Sequence, residues 1–321
     1  MDDVSSKQND TLQDGVMTSD SYVILLVLVL VIIANILILL VYLKTDAMNP
    51  QYINKYFFLS MTVSDLCLGV LVIPFSFWTS RYDRWVFGNF LCHLQAYLAA
   101  LFWIVSVYSL MWMSVDHFLA LRKEDRYENI VTPMKSKCWT AFVWIGAVFY
   151  CFPPLLGVAN ALYYVEANIC MADWRLQRAY CITSGVLISV PPVIAIIGTN
   201  GYIFTQGFKE HASIFEKSSS LNSRPDAYIR NLIIVVVYLF AWLPWLSIQL
   251  YDMTTNSHVS NTHRTVHFYA MWVAIGNSAY KFFIYVSSDH DFRTGLKIVY
   301  SKYCFCRCPW SADRMRYVNN K

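Results

Sequence analysis

Seven long apolar stretches divide this chain of 321 residues, and they constrain its fold more than any other feature. A helix needs about twenty apolar residues to cross a hydrocarbon core of about 30 Å. Inside lipid, each segment must pair its own backbone N–H and C=O groups, so each stretch is expected to be helical. Only 14% of the residues are charged, which is low for a soluble domain. The stretches cover residues 21–43, 54–78, 92–121, 138–159, 180–208, 229–251 and 268–288.

The distribution of Lys and Arg predicts the orientation in the membrane. With the N-terminus outside, the inner segments hold eighteen of the 25 basic residues, the outer segments hold six, and Lys281 lies within the last stretch. We therefore predict an all-α membrane protein, with an outer (extracellular) tail over residues 1–20 and a seven-transmembrane helix bundle over residues 21–288. A short amphipathic eighth helix and a cytoplasmic tail follow over residues 289–321. The basic inner face suits membrane lipid and cytosolic partners rather than nucleic acid.

Two kinds of modification are expected on opposite sides of the membrane. Asn9 begins the sequence Asn-Asp-Thr, a glycosylation acceptor on the predicted outer side. Three cysteines follow the amphipathic segment 291–302, where palmitoylation is typical. A metal site is the alternative, although alternating cysteines without a nearby histidine fit it poorly. These cysteines are Cys304, Cys306 and Cys308.

Several short motifs, each occurring once, lie along the chain in a characteristic order and spacing. They are Asn35, the run Leu59–Leu66 with Asp65, Trp85-Val86-Phe87-Gly88, Trp144, Pro192, the run Tyr238–Pro244, Tyr285, and Phe292-Arg293. Together they resemble the class A (rhodopsin-like) G-protein-coupled receptors over almost the whole chain. The resemblance implies a cell-surface receptor that transduces binding of an extracellular ligand to a heterotrimeric G protein. It implies neither an enzyme nor a cofactor. A membrane enzyme, channel or carrier is the alternative class, and the spans hold no catalytic triad, metal-ligand cluster or phosphate loop to support it.

Two further stretches narrow the resemblance. Residues 127–133 and 272–278 are similar to orphan receptors that signal through the stimulatory G protein, so a rise in cAMP is expected. The aspartate with which amine receptors bind their ligands corresponds to Ala99 here, and an unpaired ammonium group would be costly to bury there. We therefore favour a neuropeptide ligand, with a small apolar ligand as the alternative.

The inner end of the third stretch departs from the family pattern. The family's Asp-Arg-Tyr is Asp116-His117-Phe118 here, and histidine is shorter than arginine and titrates near neutral pH. The tyrosine expected in the fifth stretch is Asn200, whereas Tyr285 is retained. A second Asp-Arg-Tyr at residues 125–127 is interpreted as a coincidence beyond the helix end. These changes keep open an atypical receptor with weak or absent G-protein coupling.

The seventh stretch has Lys281 where the family has the asparagine of Asn-Pro-x-x-Tyr, and it lacks the proline. A straighter helix is expected without that proline. The resemblance places Lys281 opposite Asp65, the carboxylate that commonly holds sodium in relatives. A lysine inside a span needs a partner, so an ion pair with Asp65 is predicted. The alternative is that Lys281 extends its ammonium group to the inner interface.

The resemblance also implies a ligand pocket and a disulfide at its outer end. A disulfide is expected between Cys92 and Cys170, which share the oxidising outer side. The pocket is expected to be mainly aromatic with few polar groups. Its residues are Phe75, Trp103, Ser184, Trp242, Trp245, Gln249, His267 and Met271.

Overall fold

The computed structural model of the protein describes residues 17–44, 55–123, 126–152, 160–172, 178–214, 225–255 and 261–303. Helices and one β-hairpin make up nearly all of this part. The helices are α1 (Ser19–Lys44), α2 (Lys55–Leu71), α3 (Ile73–Thr79), α4 (Gly88–Arg122), α5 (Tyr127–Ile130), α6 (Pro133–Cys151), α7 (Arg178–Ile214), α8 (Pro225–Thr255), α9 (Asn261–Ser288) and α10 (His290–Tyr303). The strands are β1 (Ala161–Tyr164) and β2 (Ile169–Ala172).

Each predicted span is helical where the structure describes it, and the differences are one break in the second span and shifts at the helix ends. The second span is divided at Val72, where a helix with Pro74 in its first turn begins. The fourth begins at Pro133 rather than at residue 138, because the Thr132 side chain accepts a hydrogen bond from the Lys135 N–H and caps the helix. Residues 153–159 of that predicted span lie outside the described part. The predicted amphipathic segment 291–302 is α10.

Five helical segments among the described residues are long and apolar enough to cross a membrane. They are Ser19–Lys44, Lys55–Thr79, Gly88–Arg122, Gly185–Thr205 and Ile229–Asp252. The other two predicted spans, α6 and α9, are more polar. α6 opens with two lysines, and α9 includes Arg264, Asn277 and Lys281. Both nevertheless pack in the bundle, α6 against α4 and α2, and α9 against α8 and α1.

The core consists of two apolar clusters, one in each half of the bundle. The outer cluster includes Val72, Val105 and Trp272, and it reaches the β-hairpin at Ile169. The inner cluster includes Leu110 and residues from the helices that end at the inner face. Between the clusters, α9 runs without a break over 28 residues, as expected for a helix that lacks the family's proline.

The β-hairpin closes the outer end of the bundle. Its strands pair antiparallel, with Ala161 opposite Ala172 and Tyr164 opposite Ile169. Asn168 completes the turn with a positive φ of 53°, a conformation that asparagine adopts more readily than most residues. Burial raises the pKa of Tyr163 to about 12, so its hydroxyl stays protonated and donates to Asn168 Oδ1 at 2.9 Å.

Candidate functional site

The hairpin is joined to the bundle covalently and by hydrogen bonds. Cys92 in α4 and Cys170 in β2 form the expected disulfide, which links residues 78 positions apart. The Cys170 N–H donates to Gln95 Oε1 at 2.9 Å, and the Gln95 amide group in turn donates to the Val72 carbonyl and to Ser76 Oγ. Gln95 therefore fixes the second outer loop to the break between α2 and α3.

The turn of the hairpin lies inside the outer end of the bundle. Ala167 is 1% exposed, and its carbonyl accepts a hydrogen bond from Trp272 Nε1 at 3.0 Å. Trp272 is itself fully buried in α9. The sequence prediction of the pocket missed both Trp272 and Gln95. The available signal was chemical, because a buried indole N–H or amide needs a hydrogen-bond partner.

The structure brings the predicted pocket residues together in pairs. Trp103 in α4 and Trp242 in α8 pack with ring centroids 5.6 Å apart. Trp245 and His267 pack edge to face at 6.2 Å. His267 Nε2 lies 3.1 Å from Asp252 Oδ2, a partner that the sequence prediction did not include in the pocket.

The remaining predicted pocket residues divide by location. Gln249 and Met271 are buried on α8 and α9. Phe75 instead contacts the first outer loop, with ring centroids 5.2 Å from Phe87 and 6.4 Å from Trp85. Ser184 falls within α7, but its side chain lies outside the described part of the chain.

An ion pair lies below the aromatic residues. Lys281 Nζ of α9 is 2.5 Å from Asp65 Oδ2 of α2, and the two residues are only 2% and 3% exposed. The other oxygen of Asp65 accepts a hydrogen bond from Ser106 Oγ at 2.7 Å, and Ser106 lies 3.2 Å from Ser64 Oγ. Each carboxylate oxygen thus has a close partner. The ammonium group stays inside the bundle and does not extend to the interface.

Aromatic residues connect the pocket to this ion pair. The ring of Trp242 lies 6.3 Å from that of Tyr238, which is within electrostatic reach of Asp65. Trp103 Nε1 and the Tyr238 hydroxyl are both buried, and the two side chains are close enough to interact with each other.

The inner end of α4 carries the altered family motif. Asp116 and His117 are both buried. Asp116 Oδ1 accepts a hydrogen bond from the Tyr127 hydroxyl of α5 at 2.7 Å. Tyr127 lies beyond the end of α4, as expected for the second Asp-Arg-Tyr, and its hydroxyl returns to the helix through this contact. Glu124 and Asp125 lie outside the described residues.

The inner ends of α4, α7 and α8 meet through amide groups. Asn231 Nδ2 of α8 lies 3.2 Å from Asn200 Oδ1 and 3.3 Å from Ser114 Oγ. Asn200, which replaces the expected tyrosine, thus makes a direct contact with α8. Tyr285 is buried against Phe58 at 4.8 Å and Phe292 at 5.6 Å.

The expected modification sites, Asn9 and the three cysteines at 304, 306 and 308, all lie outside the described residues. No group of three or more His, Cys, Asp or Glu side chains in the described part is arranged to hold a metal ion.

Comparison with known proteins identifies the architecture. The family model described as 7 transmembrane receptor (rhodopsin family) matches residues 34–285. G-protein coupled receptor 52 of Mus musculus is 24% identical over 310 residues, covering 92% of this chain and 84% of that protein. Galanin receptor 2a of Danio rerio is 23% identical over 270 residues, covering 84% and 74%. The histamine H2 receptor of Canis lupus familiaris is 22% identical over 280 residues, covering 85% and 77%. The chain belongs to the rhodopsin family of seven-transmembrane receptors and is a multi-pass G-protein-coupled receptor of the plasma membrane.

Proposed function

We propose that this receptor binds a peptide at its outer face and activates the stimulatory G protein, which raises cAMP. The observation that carries the proposal is the column of packed rings from Trp103 through Trp242 to Tyr238, which lies within electrostatic reach of Asp65 in the ion pair with Lys281. A ligand that shifts the upper tryptophans would change the packing around this buried pair. Such a column supports transduction, and a coupling measurement is needed to test it.

The ligand class is inferred from the chemistry of the outer face. Galanin is a peptide and histamine is an amine, so the names of the relatives do not choose between the two. Ala99 offers no carboxylate to an ammonium group, which disfavours an amine. At the rim, Arg264 Nη2 lies 2.7 Å from Asp83 and 4.0 Å from Asp20, and these charges suit a peptide's polar groups. A small apolar ligand remains the alternative, because the wall below the rim is aromatic.

The proposed topology places the N-terminal tail and Asn9 outside and the cysteines at 304, 306 and 308 inside. The basic face of α10, with Arg293 and Lys297, would then lie at the inner leaflet, where acylation of these cysteines would anchor it. An epitope tag at residue 1 should bind antibody on intact cells, and a tag at residue 321 should bind it only after permeabilisation. The opposite labelling would overturn the orientation.

Coupling is tested by recruitment of labelled G proteins of each class, together with cAMP, in cells that express the receptor at a measured surface level. A peptide library is then applied, and hits are repeated on a Trp242→Leu variant. A response that is confined to stimulatory G protein and is reduced in Trp242→Leu supports the proposal. A response to a library of small lipophilic molecules, with no response to the peptides, would reverse the ligand class.

A second candidate function is favoured by three described positions. His117, Asn200 and Lys281 each replace a residue on which the family's coupling pattern depends. A receptor that binds its ligand but recruits no G protein of any class at full surface expression would be this atypical form. The recruitment assay therefore separates the two candidates directly.

A further inference from the structure

Arg230 ties the inner end of α8 to the corner between α9 and α10. Its Nη1 lies 3.1 Å from Asp289 Oδ2, and the two side chains are 14% and 13% exposed. Its guanidinium carbon also lies 4.9 Å from the centroid of the Tyr285 ring, within range of a cation–π contact. One arginine thus contacts both a carboxylate and an aromatic face, which its planar charged group allows.

The Asp289 carboxylate is held in place by the start of α10. Its Oδ1 accepts a hydrogen bond from the Phe292 N–H at 2.9 Å, as a helix cap does, while Oδ2 faces Arg230. The Asp289 backbone N–H donates to the Tyr285 carbonyl at 2.9 Å. Phe292 is buried against Tyr285, so the corner holds the carboxylate and the aromatic ring in place for the arginine.

We propose that Arg230, Asp289 and Tyr285 form a latch that holds the inner end of α8 in the resting position. A partner that inserts between α4 and α8 from the inner side must separate α8 from this corner, and doing so breaks both contacts of Arg230. The inference rests on the proposed coupling function, since the latch has a role only if a G protein enters there.

His117 stands at the position of the family's helix arginine. His117 lies within electrostatic reach of Arg230, and when protonated it carries the same sign of charge, so it does not attract the inner end of α8. Attraction comes from Asp289 instead. A single pair with partly exposed side chains shifts an equilibrium by only about 2- to 5-fold, which suits a contact that must open and close.

The first test of the latch measures the distance between α8 and α10 and does not depend on signalling. Spin labels are placed on Ile229→Cys in α8 and Ser301→Cys in α10, both exposed, in a chain whose other accessible cysteines are replaced by serine. Pulsed electron resonance in lipid nanodiscs then measures the distance between them. Asp289→Asn removes the charge but keeps a capping oxygen, and Arg230→Gln removes the cation. Each should add a longer-distance population and raise basal G-protein recruitment about 2- to 5-fold.

Matched controls lie outside the latch. Asp291→Asn on α10 and Lys44→Gln at the exposed end of α1 remove the same kinds of charge and should leave the distance and basal recruitment at wild-type values. Arg230→Lys keeps the charge and should fall between wild type and Arg230→Gln.

The outcomes separate the latch from the proposed coupling. Unchanged distances in Asp289→Asn and Arg230→Gln, in a receptor that recruits G protein, overturn the latch and leave the coupling proposal intact. Longer distances with no recruitment in any variant support the latch and overturn the coupling. Equal shifts in the Asp291→Asn and Lys44→Gln controls would show a general charge effect and would also overturn the latch.

Discussion

Removing Lys281 should destabilise the receptor because it leaves Oδ2 of the buried Asp65 carboxylate without its lysine donor. Ser106 still hydrogen-bonds Oδ1, but Oδ2 loses its contact at 2.5 Å. Removing one partner of a buried ion pair costs about 3–5 kcal/mol. With about 2 °C of Tm for each kcal/mol in a chain of this size, Lys281→Met should lower Tm by about 6–10 °C.

Removing both charges should restore much of this loss, since an apolar pair of similar volume is often neutral. The assay is thermal unfolding of purified receptor in nanodiscs for wild type, Asp65→Asn, Lys281→Met and the double variant. Lys44→Met makes the same chemical change at an exposed position on α1 and should leave Tm within about 1 °C. A coupling energy between the two sites below about 0.5 kcal/mol would refute the pair, because independent sites add within that margin.

The same pair predicts how the receptor responds to sodium. Lys281 Nζ occupies the space beside Asp65 that an exchangeable cation would take, so sodium should not change Tm or ligand affinity in wild type. Lys281→Asn frees the carboxylate, and its Tm should rise when potassium is replaced by sodium at constant ionic strength. A sodium effect of equal size in wild type and in Lys281→Asn would contradict this reasoning.

Three further changes test the outer and inner ends. Cys92→Ser opens a disulfide that spans 78 positions, and its loss should cost about 4 kcal/mol and reduce surface expression measured by flow cytometry; full expression would contradict this. Trp272→Phe leaves the buried Ala167 carbonyl without its donor, and should cost about 1–3 kcal/mol in thermal unfolding, whereas an unchanged Tm would remove this contact from the account. His117→Arg should raise G-protein recruitment and His117→Ala should lower it; an alanine variant equal to wild type would exclude His117 from coupling.

Hydropathy predicts the helices of this receptor well because lipid allows few alternatives. A segment that must pair its own backbone groups forms a helix wherever it is apolar and long enough, so the centres of the spans follow from composition. Their ends depend on local chemistry instead. Thr132 begins α6 five residues early because its side chain caps the first turn, and Pro74 in the first turn of α3 accompanies the break at Val72. These signals are short and are easily overlooked beside a long apolar run.

The contacts of the site can be predicted from the sequence where the chemistry of one residue requires a partner. Lys281 does so, because an ammonium group in a span must be paired, and the family resemblance supplies Asp65. Arg230 makes no such demand, since an arginine at a helix end is common and its partner lies 59 positions along the chain. The burial of the turn at Ala167 could not be predicted either, because alanine and asparagine in an outer loop do not indicate that the loop enters the bundle.

The two ion pairs differ in a way that assigns them different roles. Asp65 and Lys281 are almost completely buried, and separating them would leave two charges in a medium that cannot solvate them. This pair is therefore expected to persist through activation and to act as a fixed joint between α2 and α9. The Arg230 and Asp289 side chains are 14% and 13% exposed at the inner surface, so water can solvate their charges as they separate and the separation costs less. A receptor with a permanent internal cation cannot use exchange of that cation for regulation. The inner corner at Asp289 is one place where the described structure offers a reversible contact.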